Sequence, residues 1–108
     1  MSNLYKIISL IRRASLRWAP RFKVINRNKL ERGKYKCELC DHVGVQKSLQ
    51  VDHIEPVIPI SGFDNWEGFI TRLFCEEDGL QLICKSCHKN KSKEENRLRA
   101  EFKKNNID

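Results

Sequence analysis

Val51-Asp52-His53-Ile54-Glu55-Pro56 lies between Cys37-Glu38-Leu39-Cys40 and Cys84-Lys85-Ser86-Cys87-His88, and this arrangement decides the fold. Two CxxC pairs supply four soft thiolates, and each pair can clamp one edge of the tetrahedron that zinc prefers. Cys37, Cys40, Cys84 and Cys87 are therefore expected to hold one structural zinc ion. Asp52, His53 and His88 are of a different kind, because carboxylate oxygen and imidazole suit a harder cation and general-base chemistry. The chain is thus expected to carry a sulfur clamp and, held by it, a second and separate constellation.

A chain of 108 residues has room for one domain and one modest core. At that size a bound ion is a common staple. Lys6, Arg12, Arg13 and Arg17 interrupt residues 4–18, so no clean apolar leader precedes the cysteines, and no stretch reaches the length of a membrane span. These features favour a reducing cytoplasm and metal-bound cysteines over a disulfide scaffold. The remaining cysteine, Cys75 in Leu73-Phe74-Cys75, reads as a small buried hydrophobe.

The net charge of +7 is unevenly spread. Residues 1–36 carry eleven Lys or Arg against one acid, Glu31, whereas residues 37–83 carry two against nine and residues 84–108 eight against four. Basic ends around an acidic middle suit a polyanion gripped by the ends, with carboxylates in the middle holding cations. Arg12, Arg13, Arg17, Arg21 and Lys23 at one end, and Lys89, Lys93 and Arg97 at the other, are the candidate nucleic-acid contacts.

Leu4, Ile7, Ile8, Ile11, Ala14 and Trp18 recur at helical spacing and predict an amphipathic helix over 3–18, ended by Pro20. Residues 21–34 read as a basic connector with a short helix broken at Gly33. A zinc knuckle is expected from Tyr35 to Cys40, with Asp41-His42-Val43-Gly44 turning between two short strands and His42 in solvent. A strand should reach Asp52-His53, and Pro56 and Pro59 should close it into a loop. Asp64 is the expected N-cap of a helix, with Glu67 completing a capping box and Trp66, Phe69, Ile70, Leu73 and Phe74 as its apolar face. Leu80–Ile83 reads as a short strand, and from about Lys85 a final helix carries Lys89, Lys93 and Arg97 as a basic stripe. Asp78 and Glu55 are further candidate ligands on proximity in sequence alone.

Taken in order, Cys37-x2-Cys40, Val51–Pro56, Gly79-Leu80-Gln81-Leu82-Ile83-Cys84-x2-Cys87-His88 and Lys91-Ser92 resemble an HNH endonuclease, and in particular the HNH proteins of tailed phages. The resemblance covers roughly residues 35–93. It implies an α+β chain built on a small ββα-metal core with a structural four-cysteine zinc site and an added N-terminal helix. Residues 1–34 would be the basic helix and connector, and 35–108 the nuclease core with its basic C-terminal helix, all in one domain. It further implies that Asp52 and His88 ligate a catalytic divalent ion such as Mg2+ or Mn2+, with His53 as general base. The substrate would be DNA, approached through the minor groove and cut or nicked by a monomer or weak dimer. A homing-type role and a role beside a phage packaging protein fit equally.

One position departs from the pattern. The family usually has Asn where Gly79 stands, its side chain bracing the metal-binding loop, and glycine has no side chain for that task. Gly79→Asn is the direct test of whether a brace is missing. The competing reading is a non-catalytic zinc module that only binds nucleic acid; it uses the cysteines and the basic ends but gives Asp52, His53 and His88 no joint task. A zinc-ribbon protein adaptor is a weaker third reading, since nearly acid-free residues 1–36 have no use in it.

Overall fold

Leu49–His53 (β4) and Leu80–Cys84 (β5) pair antiparallel in an unbroken register from Leu49↔Cys84 to His53↔Leu80 in this computed structural model, which describes residues 2–106. All five residues of β5 are buried, so it is the central element of the protein. Its run of Leu80, Leu82 and Ile83 meets Val24, Tyr35, Cys37 and Leu49 in the main core. Burying such side chains contributes about 1.5–3 kcal/mol each.

The expected first helix is shorter than predicted, and the second begins earlier, at Ala19, and ends well before Gly33. Ser2–Ala14 (α1) is followed by a 3-10 turn, Ser15–Arg17, and then by Ala19–Arg27 (α2). Pro20, expected to end a helix, sits in the first turn of α2, where its missing N–H has no intrahelical partner to lose. The expected apolar face of α1 is only partly used: Ile8 is buried and Ile11 half-buried, but Leu4, Ile7 and Ala14 are exposed. Trp18 anchors the junction, donating from Nε1 to the Cys75 carbonyl at 2.6 Å and packing edge-on against Phe74.

The expected connector is structured as well. After α2, Lys29–Glu31 (β1) and Lys34–Lys36 (β2) form a hairpin whose turn places Gly33 at φ +79°, a conformation glycine adopts without a Cβ clash. Val43–Gly44 (β3) adds the third strand, in the order β1-β2-β3. No seam separates 1–34 from the rest, because β1 pairs with β2 and fully buried Val24 lies in the main core.

A second cluster joins Ile8 of α1 to Val57, Phe69 and Leu73. The last two belong to Trp66–Leu73 (α3), whose N-cap is Asn65, not Asp64. Asn65 Oδ1 accepts from Gly68 N–H at 2.7 Å, so Gly68 occupies the position expected of Glu67. Asp64 is instead engaged by Arg72 Nη2 at 2.7 Å. Lys85–Asn105 (α4) follows β5 without a linker. Its Arg99 guanidinium donates to the carbonyls of Ile58 and Pro59, both at 2.8 Å, fastening the 54–65 loop to the helix. The protein is thus a small α+β chain with two antiparallel sheets. No helix among the described residues is long and apolar enough to cross a membrane.

Candidate metal centre and adjoining cleft

The Cys37–His42 turn sits between β2 and β3. Cys37 N–H donates to the His42 carbonyl at 2.8 Å, Asp41 N–H to the Cys37 carbonyl at 3.1 Å, and Asp41 takes φ +64°. Aspartate is among the few side chains that tolerate this left-handed region. Glu38, between the first two cysteines, ties the turn to β5 twice: its N–H donates to the Leu82 carbonyl, and its Oε2 accepts from Leu82 N–H, both at 2.8 Å. Arg27 Nη2 reaches Glu38 and, at 2.7 Å, the Leu80 carbonyl. Cys84 closes β5 and caps α4, and Cys87 lies in that helix's first turn.

These elements bring the four Sγ atoms within 4.8 Å of one another. Cys37 and Cys87 are 3.8 Å apart at sulfur, Cys40 and Cys84 3.6 Å. Zinc–sulfur bonds of about 2.3 Å give a tetrahedron with edges of roughly 3.8 Å, so the group can hold a metal ion such as zinc. Burial pushes the Cys37 thiol up, but N–H groups of Cys84, Cys40 and Leu39 outweigh it and bring its pKa to about 7. Cys87 is pushed up to about 12, first by the neighbouring Cys40 thiol, then by burial and the other two sulfurs. Thiols this crowded oppose one another's ionisation, and a bound cation relieves that conflict.

A cleft of about 530 Å3 is lined by Arg12 and Arg13 of α1, Arg21 of α2, Asp52 and His53 of β4 and His88 of α4. All three members of the expected constellation therefore border one space. His88 comes from the first turns of α4, and its Nε2 is 4.0 Å from Asp52 Oδ1. Two donors each about 2.1 Å from one cation can be at most roughly 4.2 Å apart, so this pair is within bridging reach. The other oxygen of Asp52 is taken: Gln81 Nε2 donates to Oδ2 at 3.0 Å and Lys91 Nζ lies 3.3 Å from it. Gln81 stands directly opposite Asp52 in the β4–β5 ladder, where facing residues share one side of the sheet.

His53 Nε2 lies 2.9 Å from the Leu73 carbonyl, at the end of α3. A carbonyl only accepts, so Nε2 carries the hydrogen and the lone pair of the neutral ring is on Nδ1. Burial holds the His53 pKa below the ordinary histidine value; the Leu73 carbonyl and Asp52 oppose this, and Arg21 and Arg12 add to it. The backbone beyond is fixed by Ile54 N–H donating to the Gly79 carbonyl at 3.0 Å.

Other expected participants lie elsewhere. Glu55 and Asp78 border a separate depression with Cys75 and Gly79. His42 is exposed, as expected. Arg17, Lys23, Lys89, Lys93 and Arg97 are exposed outside the cleft wall, and Arg97 is engaged by Glu94 and Glu101 at 2.7 and 2.8 Å. Gln81 and Lys91 lie in the stretches that carry the sequence resemblance but were given no role there, and Glu95 and the Leu73 carbonyl were not singled out; the i, i+4 spacing of Lys91 and Glu95 was a further signal. No protein-family model, curated protein or solved structure matches the chain.

Proposed function

We propose that the protein is a metal-dependent DNA endonuclease of HNH type, with zinc in the four-cysteine clamp and Asp52 and His88 holding a divalent ion such as magnesium or manganese. The observation that carries this reading is the convergence of Asp52, His53 and His88 on one arginine-walled cleft, with His53 Nε2 tied to Leu73. The β4–β5 pair running directly into α4 supports the ββα arrangement that the sequence resemblance implies.

A divalent ion at Asp52 and His88 supplies charge neutralisation at the scissile phosphate and the leaving oxygen. His53 Nδ1 accepts a proton from water, the resulting hydroxide attacks phosphorus in line, and the P–O bond opposite breaks; the leaving oxygen takes a proton from solvent water, giving a hydroxyl and a phosphate monoester. Arg12, Arg13 and Arg21 receive the DNA backbone over the cleft, and Arg17, Lys23, Lys89, Lys93 and Arg97 lengthen the basic track. The reading places the protein in a reducing cytoplasm, acting on DNA.

The test is conversion of supercoiled plasmid by the purified protein with magnesium, manganese, nickel or EDTA, beside His53→Ala. Metal-dependent nicking that falls by about 10²-fold or more in the variant is the expected result. Salt-sensitive DNA binding without cleavage under any metal would replace the enzyme with a zinc-stabilised binding module.

A further inference from the structure

Lys91 lies on α4 one turn beyond His88, and its Nζ meets three acceptors. These are the His53 carbonyl at 2.9 Å, Asp52 Oδ2 at 3.3 Å and Glu95 Oε2 at 2.6 Å. Two of these contacts are hydrogen bonds donated by the ammonium, to the His53 carbonyl and to Glu95, and the contact with Asp52 Oδ2 is an ion pair. With Gln81 also on Oδ2, Asp52 is held with Oδ1 as the oxygen facing His88.

Gly79 shows why such a support is needed from elsewhere. A Cβ at Gly79 would come 2.9 Å from Cys75 Sγ and 3.3 Å from Cys75 Cβ, so a side chain there has no room unless Cys75 shifts. What Gly79 contributes is its carbonyl, to Ile54 N–H. Residues 52–54 are thus secured one after another: the Asp52 carboxylate by Gln81 and Lys91, the His53 carbonyl by Lys91, and the Ile54 amide by Gly79.

We propose that Lys91, held in place by Glu95, is the positioning residue of the Asp52–His53 segment. It aims Oδ1 at the cation site and the His53 ring at the cleft, and this rests on the nuclease reading above. A bare ammonium beside a cation site would repel the cation. Here Glu95 offsets the charge and the ammonium lies beside Oδ2 while Oδ1 faces His88, so the brace favours metal binding. The two roles differ in sign, which makes the inference testable.

The experiment is Mn2+ titration of the zinc-loaded full chain by electron paramagnetic resonance, without DNA. Asp52→Asn serves as the baseline for adventitious binding, with Lys91→Met and Glu95→Gln as the variants. Plasmid nicking in Mn2+ and DNA affinity in EDTA are measured alongside. Lys91→Met is expected to bind Mn2+ about 10–100-fold more weakly, as is usual when a residue supporting a metal ligand is removed. Its kcat should fall with KM within about twofold, and Glu95→Gln should show a smaller loss of the same kind. If Lys91→Met lacks the native circular dichroism spectrum, Glu95→Gln decides. Unchanged or tighter Mn2+ binding in the folded variants overturns the positioning role while wild-type nicking leaves the nuclease reading standing. A wild type that neither binds Mn2+ above the baseline nor nicks removes both. Gly79→Asn is expected to bring no gain in cleavage, since its side chain meets Cys75; a large gain would also overturn the proposal.

Discussion

The two polar centres of this chain, the thiol cluster and the cleft, are built in opposite ways. The thiol cluster draws its donors from one short turn and from the junction of β5 with α4, with Cys37 and Cys84 buried and backbone amides aimed at sulfur. The cleft is half open, and its members Asp52, His53 and His88 are positioned by side chains and carbonyls from α3, β5 and α4. The difference teaches where each kind of information resides. A tetrahedral clamp is specified by four residues at local spacings, whereas an open site is specified by its surroundings.

Removing one ligand from the clamp should have the largest effect. Cys84→Ser, or exhaustive chelation, is expected to abolish cooperative folding, because structural zinc contributes about 10–16 kcal/mol in small domains. Far-UV circular dichroism with and without zinc checks it, and a variant that keeps a sharp thermal transition would break the division of labour. His53→Ala should do the reverse. Nicking should fall by roughly 10²–10⁴-fold, while stability drops by only about 1 kcal/mol for the lost bond to Leu73. Urea unfolding beside the plasmid assay separates the two.

Arg12→Ala and Arg21→Ala sharpen the comparison from the arginines that line the cleft. Each should weaken binding of any duplex sequence to a similar degree and reduce the slope of log affinity against log salt by about 1. Fluorescence anisotropy across a salt series measures it, and Arg97→Ala, its charge already engaged by two glutamates, should change the slope less. The smallest effect concerns a helix terminus: Asn65→Ala should cost about 1 kcal/mol through loss of the α3 cap. Urea midpoints of this variant against wild type measure that loss.

The clamp, β4, β5 and the start of α4 were legible because each announces itself locally, in a CxxC pair, an apolar run or a helix beginning at a ligand. The N-terminal third was less so. Pro20 reads equally as the end of one helix and the first turn of another, and tertiary burial of Val24 in the main core settled it. Asp64 was the expected cap, but Arg72, eight residues on, engages its carboxylate, and Asn65 caps α3 instead. Asp52, His53 and His88 were singled out by residue type and do border one cleft, but the contacts of Gln81 and Lys91 with them were not readable. Their roles depend on a strand register and a helix rotation that no local spacing encodes.

Cys84 is the last residue of β5, the N-cap of α4 and a member of the thiol cluster. It therefore sets the phase of the helix as a fixed tooth sets a gear. Residues 88, 91 and 95 follow it at steps of four, three and four, close to the turn of about 3.6 residues, so they come round on the side of α4 that borders the cleft. Inserting a single residue between Cys87 and His88 would turn all of them by about 100° while leaving both cysteine pairs intact. For this chain, the number of residues after the second pair is as strict a requirement as their identity.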